Sequence, residues 1–193
     1  MHSRIIGALE EHRRAADDMV TSLADPIHAV AETLITSYRS GRKLLTMGNG
    51  GSAADAQHFA AEMVGRYLRE RRALPAIALT VDPSAVTAIA NDYGFPEVFA
   101  RQVRAHARPG DVVFGISTSG NSENICRAFD AARAAKATTV ALGGGTGGRM
   151  RELADLAIVA PTAVTPRIQE CHITIIHILC DLVEEALAAD DPR

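Results

Sequence analysis

Apolar residues recur at helical spacing over the first forty positions, and then the texture changes. Ile5, Ile6 and Leu9, followed by Met19, Val20 and Leu23, fit one helical stripe, and Ile27, Val30, Leu34 and Tyr38 fit a second. Asp25-Pro26 is a helix start signal and Gly41 a stop, so a helical hairpin is predicted over 1–41. From Lys43 short apolar runs alternate with amphipathic stretches. The runs predict strands over 43–48, 76–80, 111–116, 138–142 and 155–160. Helices fit over 53–67, 84–91, 97–106, 122–135 and 148–153, and a long final helix over 168–189 carries the stripe Ile173, Ile176, Leu179, Val183 and Leu187.

Such alternation implies βαβ units and a parallel sheet covered on both faces. The predicted fold is therefore α/β, a three-layer αβα sandwich around a five-stranded parallel sheet, with the helical hairpin attached. No repeat, low-complexity tract or linker interrupts it, so one domain over 1–193 is expected, with 1–41 as a helical extension and 42–193 as the core. In this architecture ligands bind beyond the carboxyl ends of the strands, where the 48–52 and 117–122 loops fall.

The first of these loops opens the run Met47-Gly48-Asn49-Gly50-Gly51-Ser52, which continues through His58-Phe59-Ala60-Ala61-Glu62. Backbone N–H groups at a glycine-rich strand-to-helix turn can receive an anion. His58 and Glu62 are four residues apart, which stacks them on one helix face about a turn beyond the loop. Singly, such a loop often serves only sterics, and such a pair is usually a surface contact. Their juxtaposition is what points to chemistry.

The second loop reads Ser117-Thr118-Ser119-Gly120-Asn121-Ser122. One serine suffices to cap a helix; four hydroxyls and a glycine at a helix start supply neutral donors for a phosphate monoester. The glycine run 143–148 matches neither a Walker loop nor a dinucleotide fingerprint and reads as a flexible connection without chemistry. In the last helix His172 and His177 are five residues apart and point about 140° from each other, so they cannot serve one site together. The spacing leaves open which of them is a core residue.

Composition narrows the class. With 47% hydrophobic residues but no long uninterrupted apolar run, the chain reads as a globular protein without a membrane span. Met1-His2-Ser3-Arg4 and the residues after it lack the apolar core of a signal peptide, so a cytoplasmic location is expected. The net charge of −3 gives no general nucleic-acid footprint. Arg66, Arg69, Arg71 and Arg72, interrupted by Glu70, read as a solvated helix end that could still reach a phosphate across a subunit boundary. Cys126, Cys171 and Cys180 lack metal or redox spacing and read as reduced packing residues.

Taken together, Gly48-Asn49-Gly50-Gly51-Ser52, His58-Phe59-Ala60-Ala61-Glu62, Asn91-Asp92, Ser117-Thr118-Ser119-Gly120-Asn121-Ser122 and Arg167-Ile168-Gln169-Glu170 resemble the sugar-isomerase (SIS) domain superfamily. More narrowly, they resemble its sedoheptulose 7-phosphate isomerases, also called phosphoheptose isomerases. The resemblance implies an aldose–ketose isomerase that converts D-sedoheptulose 7-phosphate to D-glycero-D-manno-heptose 7-phosphate through an enediol, the first step of nucleotide-activated heptose biosynthesis. It implies that Asn49, Gly50, Gly51, Ser52, Asn91, Asp92, Ser117, Thr118, Ser119 and Ser122, with Glu62 and Gln169, bind the phosphorylated seven-carbon sugar. It implies one zinc or similar divalent ion at His58, Glu62, Gln169 and His177, acid/base roles for Glu62 and His177, and a homotetramer with active sites at subunit interfaces. Thr165-Pro166 takes one of several forms found in the family, some of which carry an acidic residue nearby. The competing reading is a non-enzymatic relative that binds the replication initiator and lacks groups matching Glu62 and His177; this chain carries both. Gln169 and His177 lie about 12 Å apart along a straight helix, so either the helix starts irregularly or neighbouring subunits share the site.

Overall fold

The computed structural model describes residues 1–190. Five strands, β1 (Leu44–Gly48), β2 (Ala76–Ala78), β3 (Val112–Ser117), β4 (Thr138–Gly144) and β5 (Leu156–Ala160), form one parallel sheet in the order β2-β1-β3-β4-β5. Every residue of β1 and β3 is buried, which is why both read as near-continuous apolar runs. Alternate residues serve opposite faces. Leu44, Val112, Phe114 and Ile116 join one core with Val30, Leu34, Phe59, Met63, Ile176 and Leu179, whereas Leu45, Met47 and Val113 join the other with Phe99, Val103, Ile125 and Phe129.

The helices are α1 (His2–Ser22), α2 (Ala24–Arg39), α3 (Gly51–Val64), α4 (Pro83–Tyr93), α5 (Val98–His106), α6 (Glu123–Ala134), α7 (Gly148–Leu153) and α8 (Thr165–Ala188), with a short 3-10 turn at Phe95–Glu97. Helices α2, α3 and α8 supply the first core, α5 and α6 the second. Leu23 alone separates α1 from α2, and Ala15 is the only buried residue of α1. His12 Nδ1, 2.7 Å from Glu170 Oε2, and a hydrogen bond from Arg167 to Ala8 O tie α1 to the start of α8.

The strand order places a switch point between β1 and β3, whose chains leave toward opposite edges of the sheet. Gly48 pairs with Ile116 in register, so the 48–52 and 117–122 loops emerge side by side. Two elements differ from expectation. Helix α3 begins at Gly51 and ends at Val64, because Gly50 with φ 58° turns the chain directly into the helix. His58 and Glu62 therefore sit roughly two and three turns into α3, rather than one turn beyond the loop. The glycine run is not a flexible connection. A Cβ on Gly120 would run into the backbone of Gly147, and Met150 N donates to Gly120 O at 2.9 Å, so this run is a close backbone approach that buttresses the 117–122 loop.

Candidate active site

At the exit of β1, a Cβ on Gly48 would collide with Ser52 and one on Gly51 with the Gln169 side chain. Glycine at 51 thus lets Gln169, in the second turn of α8, lie directly over the start of α3. Asn49 exchanges two amide hydrogen bonds with Asn124, at 3.0 and 2.9 Å, and Asn124 is buried in the first turn of α6. That pair bolts the 48–52 loop to the loop after β3. Neither spacing nor motif singles out Asn124 as a site residue; its local signal is a polar side chain in the first turn of a helix. Beside Asn49, Gly48, Gly50, Thr80, Phe95 and Phe99 line a cavity of about 190 Å³.

In the second loop Ser117 Oγ lies 2.8 Å from Ser122 Oγ and 3.4 Å from Ser119 Oγ, and Ser119 Oγ accepts from Asn121 N at 3.2 Å. Ser122 holds the N-cap position of α6, yet its side chain makes no capping bond. Its hydroxyl faces the other serines, and the first-turn amides of α6 keep their affinity for an anion. Asn91 and Asp92, in the last turn of α4, are exposed and bonded to each other at 2.8 Å.

Across the first core, α3 and α8 bring three titratable side chains together. His58 Nε2 is 3.2 Å from Glu62 Oε1 and 3.3 Å from His177 Nε2, with the two imidazole centroids 5.1 Å apart. The ring of Tyr67 also packs against His177, at 5.4 Å between centroids. His172 is the core histidine: it is fully buried and held 3.0 Å from Gly143 O, and burial lowers its pKa below the ordinary imidazole value despite that bond. Neutral imidazole donates from Nε2 to the carbonyl there, which fastens α8 to β4. The two histidines, five residues apart, are thereby sorted.

The arginine run is divided as well. Arg66 is exposed and ion-paired with Glu70, whereas Arg71 is buried against Glu184 of α8. Burial alone would raise the Glu184 carboxyl, but the amides of Leu68, Tyr67 and Arg69, with Arg71, hold it below the usual carboxylate value. A solvated helix end is thus the wrong description of Arg71, because its partner lies far away in sequence. Cys126, Cys171 and Cys180 are buried free thiols, and burial raises the pKa of each. Among the described residues no helix is long and apolar enough to cross a membrane.

Fold and site together define an α/β domain whose switch point carries two loops of the kind that receive anions, with imidazole and carboxylate groups on a neighbouring helix pair. The model of the SIS domain family matches residues 9–144, and the chain belongs to that family as one of its phosphoheptose isomerases. It is 55% identical to the phosphoheptose isomerase of Geobacter sp. (strain M21) over 97% of both chains, and 57% identical to that of Geobacter sulfurreducens over 95% of this chain and 97% of the other. The solved structure of phosphoheptose isomerase from Neisseria gonorrhoeae superposes with a TM-score of 0.90 at 44% identity, covering 95% of this chain and 98% of that one.

Proposed function

We propose that this site interconverts sedoheptulose 7-phosphate and D-glycero-D-manno-heptose 7-phosphate through an enediol. The observation that carries the reading is the cluster of His58, Glu62 and His177 on α3, which leads out of the 48–52 loop, and α8. Ser117, Thr118, Ser119 and Ser122 with the α6 amides hold the phosphate. Asn49, Gly50, Gly51 and Ser52, with Gln169, hold the sugar, and Asn91 and Asp92 reach it from the surface. The Glu62 carboxylate takes the proton from C1 of the ketose and returns it to C2, while His177 carries the hydroxyl proton between O2 and O1. Nothing is gained or lost overall, and general acid–base transfer of this kind contributes about 10²–10⁴-fold.

The donor set suits a divalent ion. His58 Nε2 lies 3.2 Å from Glu62 Oε1 and 3.3 Å from His177 Nε2, and imidazole nitrogen with carboxylate oxygen is the donor chemistry that zinc takes. Among the described residues no group of three His, Cys, Asp or Glu side chains is already placed to hold a metal ion, so His58, Glu62 and His177, with Gln169 as fourth donor, would have to move to take one. A zinc ion held there would supply Lewis-acid polarisation of the sugar carbonyl. Helix α8 is regular from Thr165 to Ala188, which supports a site shared between subunits over an irregular helix start as the way to bring a Gln169 and a His177 together.

Ile5, Ile6, Leu9 and Val20 of α1 are exposed, and Met19, Ile27, Ile178 and Leu182 line an apolar groove beside them. A helix of 21 residues that buries only Ala15 needs a partner surface. A homotetramer working in the cytoplasm, with sites completed at subunit interfaces, accounts for this. The initiator-binding reading gains nothing from the structure, since scaffolding does not call for a clustered Glu62 and His177. Incubation with sedoheptulose 7-phosphate followed by NMR of the sugar tests the reaction; absence of conversion by the purified chain, with or without added zinc, overturns it.

A further inference from the structure

We infer that the buried ion pair of Arg71 and Glu184 is a positioning device for the acid/base pair, holding Glu62 and His177 at their working separation across the seam between α3 and α8. This rests on the roles proposed above for Glu62 and His177. Arg71 Nη2 donates to Glu62 O at 2.7 Å, and Nη1 donates to Met63 O at 3.0 Å, Gly65 O at 3.2 Å and Arg72 O at 2.9 Å. The first three belong to the end of α3, where carbonyls lose their intrahelical partners and a cation is favoured. Arg71 therefore fixes the backbone of Glu62 itself.

Glu184 does the same for the other side. It lies two turns beyond His177 on α8, hence on nearly the same face. Its carboxylate accepts from Tyr67 N at 2.8 Å and from Leu68 N and Arg69 N at 2.6 Å each. Those bonds set the short segment after α3 and so the Tyr67 ring that packs on His177. Arg71 Nε then closes the clasp, 3.4 Å from Glu184 Oε1, with both side chains fully buried.

Adhesion between two helices does not need this arrangement. Burying an ion pair is expensive, and apolar side chains of similar volume hold helices together at least as well. What apolar side chains cannot do is orient particular carbonyls and amides. Here Arg71 bonds Glu62 O and the carbonyls just after it, at Met63 and Gly65, and Glu184 takes the amides of Tyr67, Leu68 and Arg69; one further bond, from Arg71 to Arg72 O, stays within the segment after α3.

The test uses the full chain as purified, with Glu184→Gln, which keeps the shape but loses the charge and turns one acceptor oxygen into a donor amide, and Arg71→Lys, which keeps charge but loses the fork. Each should lower kcat for sedoheptulose 7-phosphate by roughly 10- to 100-fold, since small misplacement of reacting groups is that damaging. KM should stay within about twofold, because the phosphate loops are untouched. Arg71→Lys, the milder change, should retain more activity than Arg71→Met. In parallel, the ring-current shift that Tyr67 imposes on the His177 ring protons should diminish in both variants. A folded variant of either kind with wild-type kcat, or one that keeps the His177 shift, overturns the inference and reduces the pair to a stabilising contact. Lack of turnover by the wild type would instead overturn the assigned reaction, and the His177 shift would still decide the positioning role.

Discussion

Asn124 offers a sharp test of how the two loops are coupled. Replacing it by alanine removes both amide bonds to Asn49, at 3.0 and 2.9 Å, from a position only 3% exposed. Each neutral hydrogen bond is worth about 1 kcal/mol net, so the loss is about 2–3 kcal/mol when the unpaired Asn49 amide is included. For a domain of this size that lowers Tm by roughly 4–12 °C. Asn49 would then be free to turn, and forfeiting one well-placed hydrogen bond to the ligand corresponds to about a tenfold higher KM. Asn124→Asp keeps an acceptor for Asn49 Nδ2 but places a carboxylate beside the serine loop, so its KM for the phosphorylated sugar should exceed that of Asn124→Ala. Steady-state kinetics and calorimetry on the three proteins give both orderings. Wild-type KM and Tm in Asn124→Ala would refute the claim that this pair locks the loops together.

Other outcomes follow from the same geometry. Glu62→Gln and His177→Asn should leave the circular dichroism unchanged and lower kcat by roughly 10²-fold or more, with metal content measured on the same samples; near wild-type turnover in both would defeat the proposed proton transfers. Ser119→Ala combined with Ser122→Ala should raise KM more than it lowers kcat, and an unchanged KM would remove the phosphate from that loop. His172 is buried with its pKa below the ordinary 6.5, so the unfolded chain binds a proton that the folded chain does not. Stability should therefore fall as pH drops below about 6.5 and level off once the folded-state pKa is passed. In His172→Asn the part of the Tm-against-pH slope near that value should flatten; an unaltered slope would contradict the buried neutral imidazole.

Much of the fold is local information. The runs at β1 and β3 are apolar on successive residues because a parallel strand is covered on both faces, and that alone locates the strands and the loops at their carboxyl ends. The adjacency of His58 and Glu62 follows from helical spacing, and the serine cluster from its density of hydroxyls at a helix start. The remaining features are pairings between groups distant in sequence, on which periodicity is silent. The spacing of His172 and His177 puts them on different sides of α8, but only the packing of α8 on β4 and α3 shows that the first meets a carbonyl and the second meets His58. Arg71 stands in a charged run that reads as solvated, yet the orphan carbonyls of α3 and the Glu184 carboxylate draw it into the interior. Asn49 finds Asn124, and Gly120 finds Gly147, because the register of β1, β3 and β4 sets their loops against one another. Hydrophobic pattern encodes which side of an element faces inward; which polar groups meet there is decided by tertiary contact, where an unpaired buried charge or amide is too unfavourable to persist.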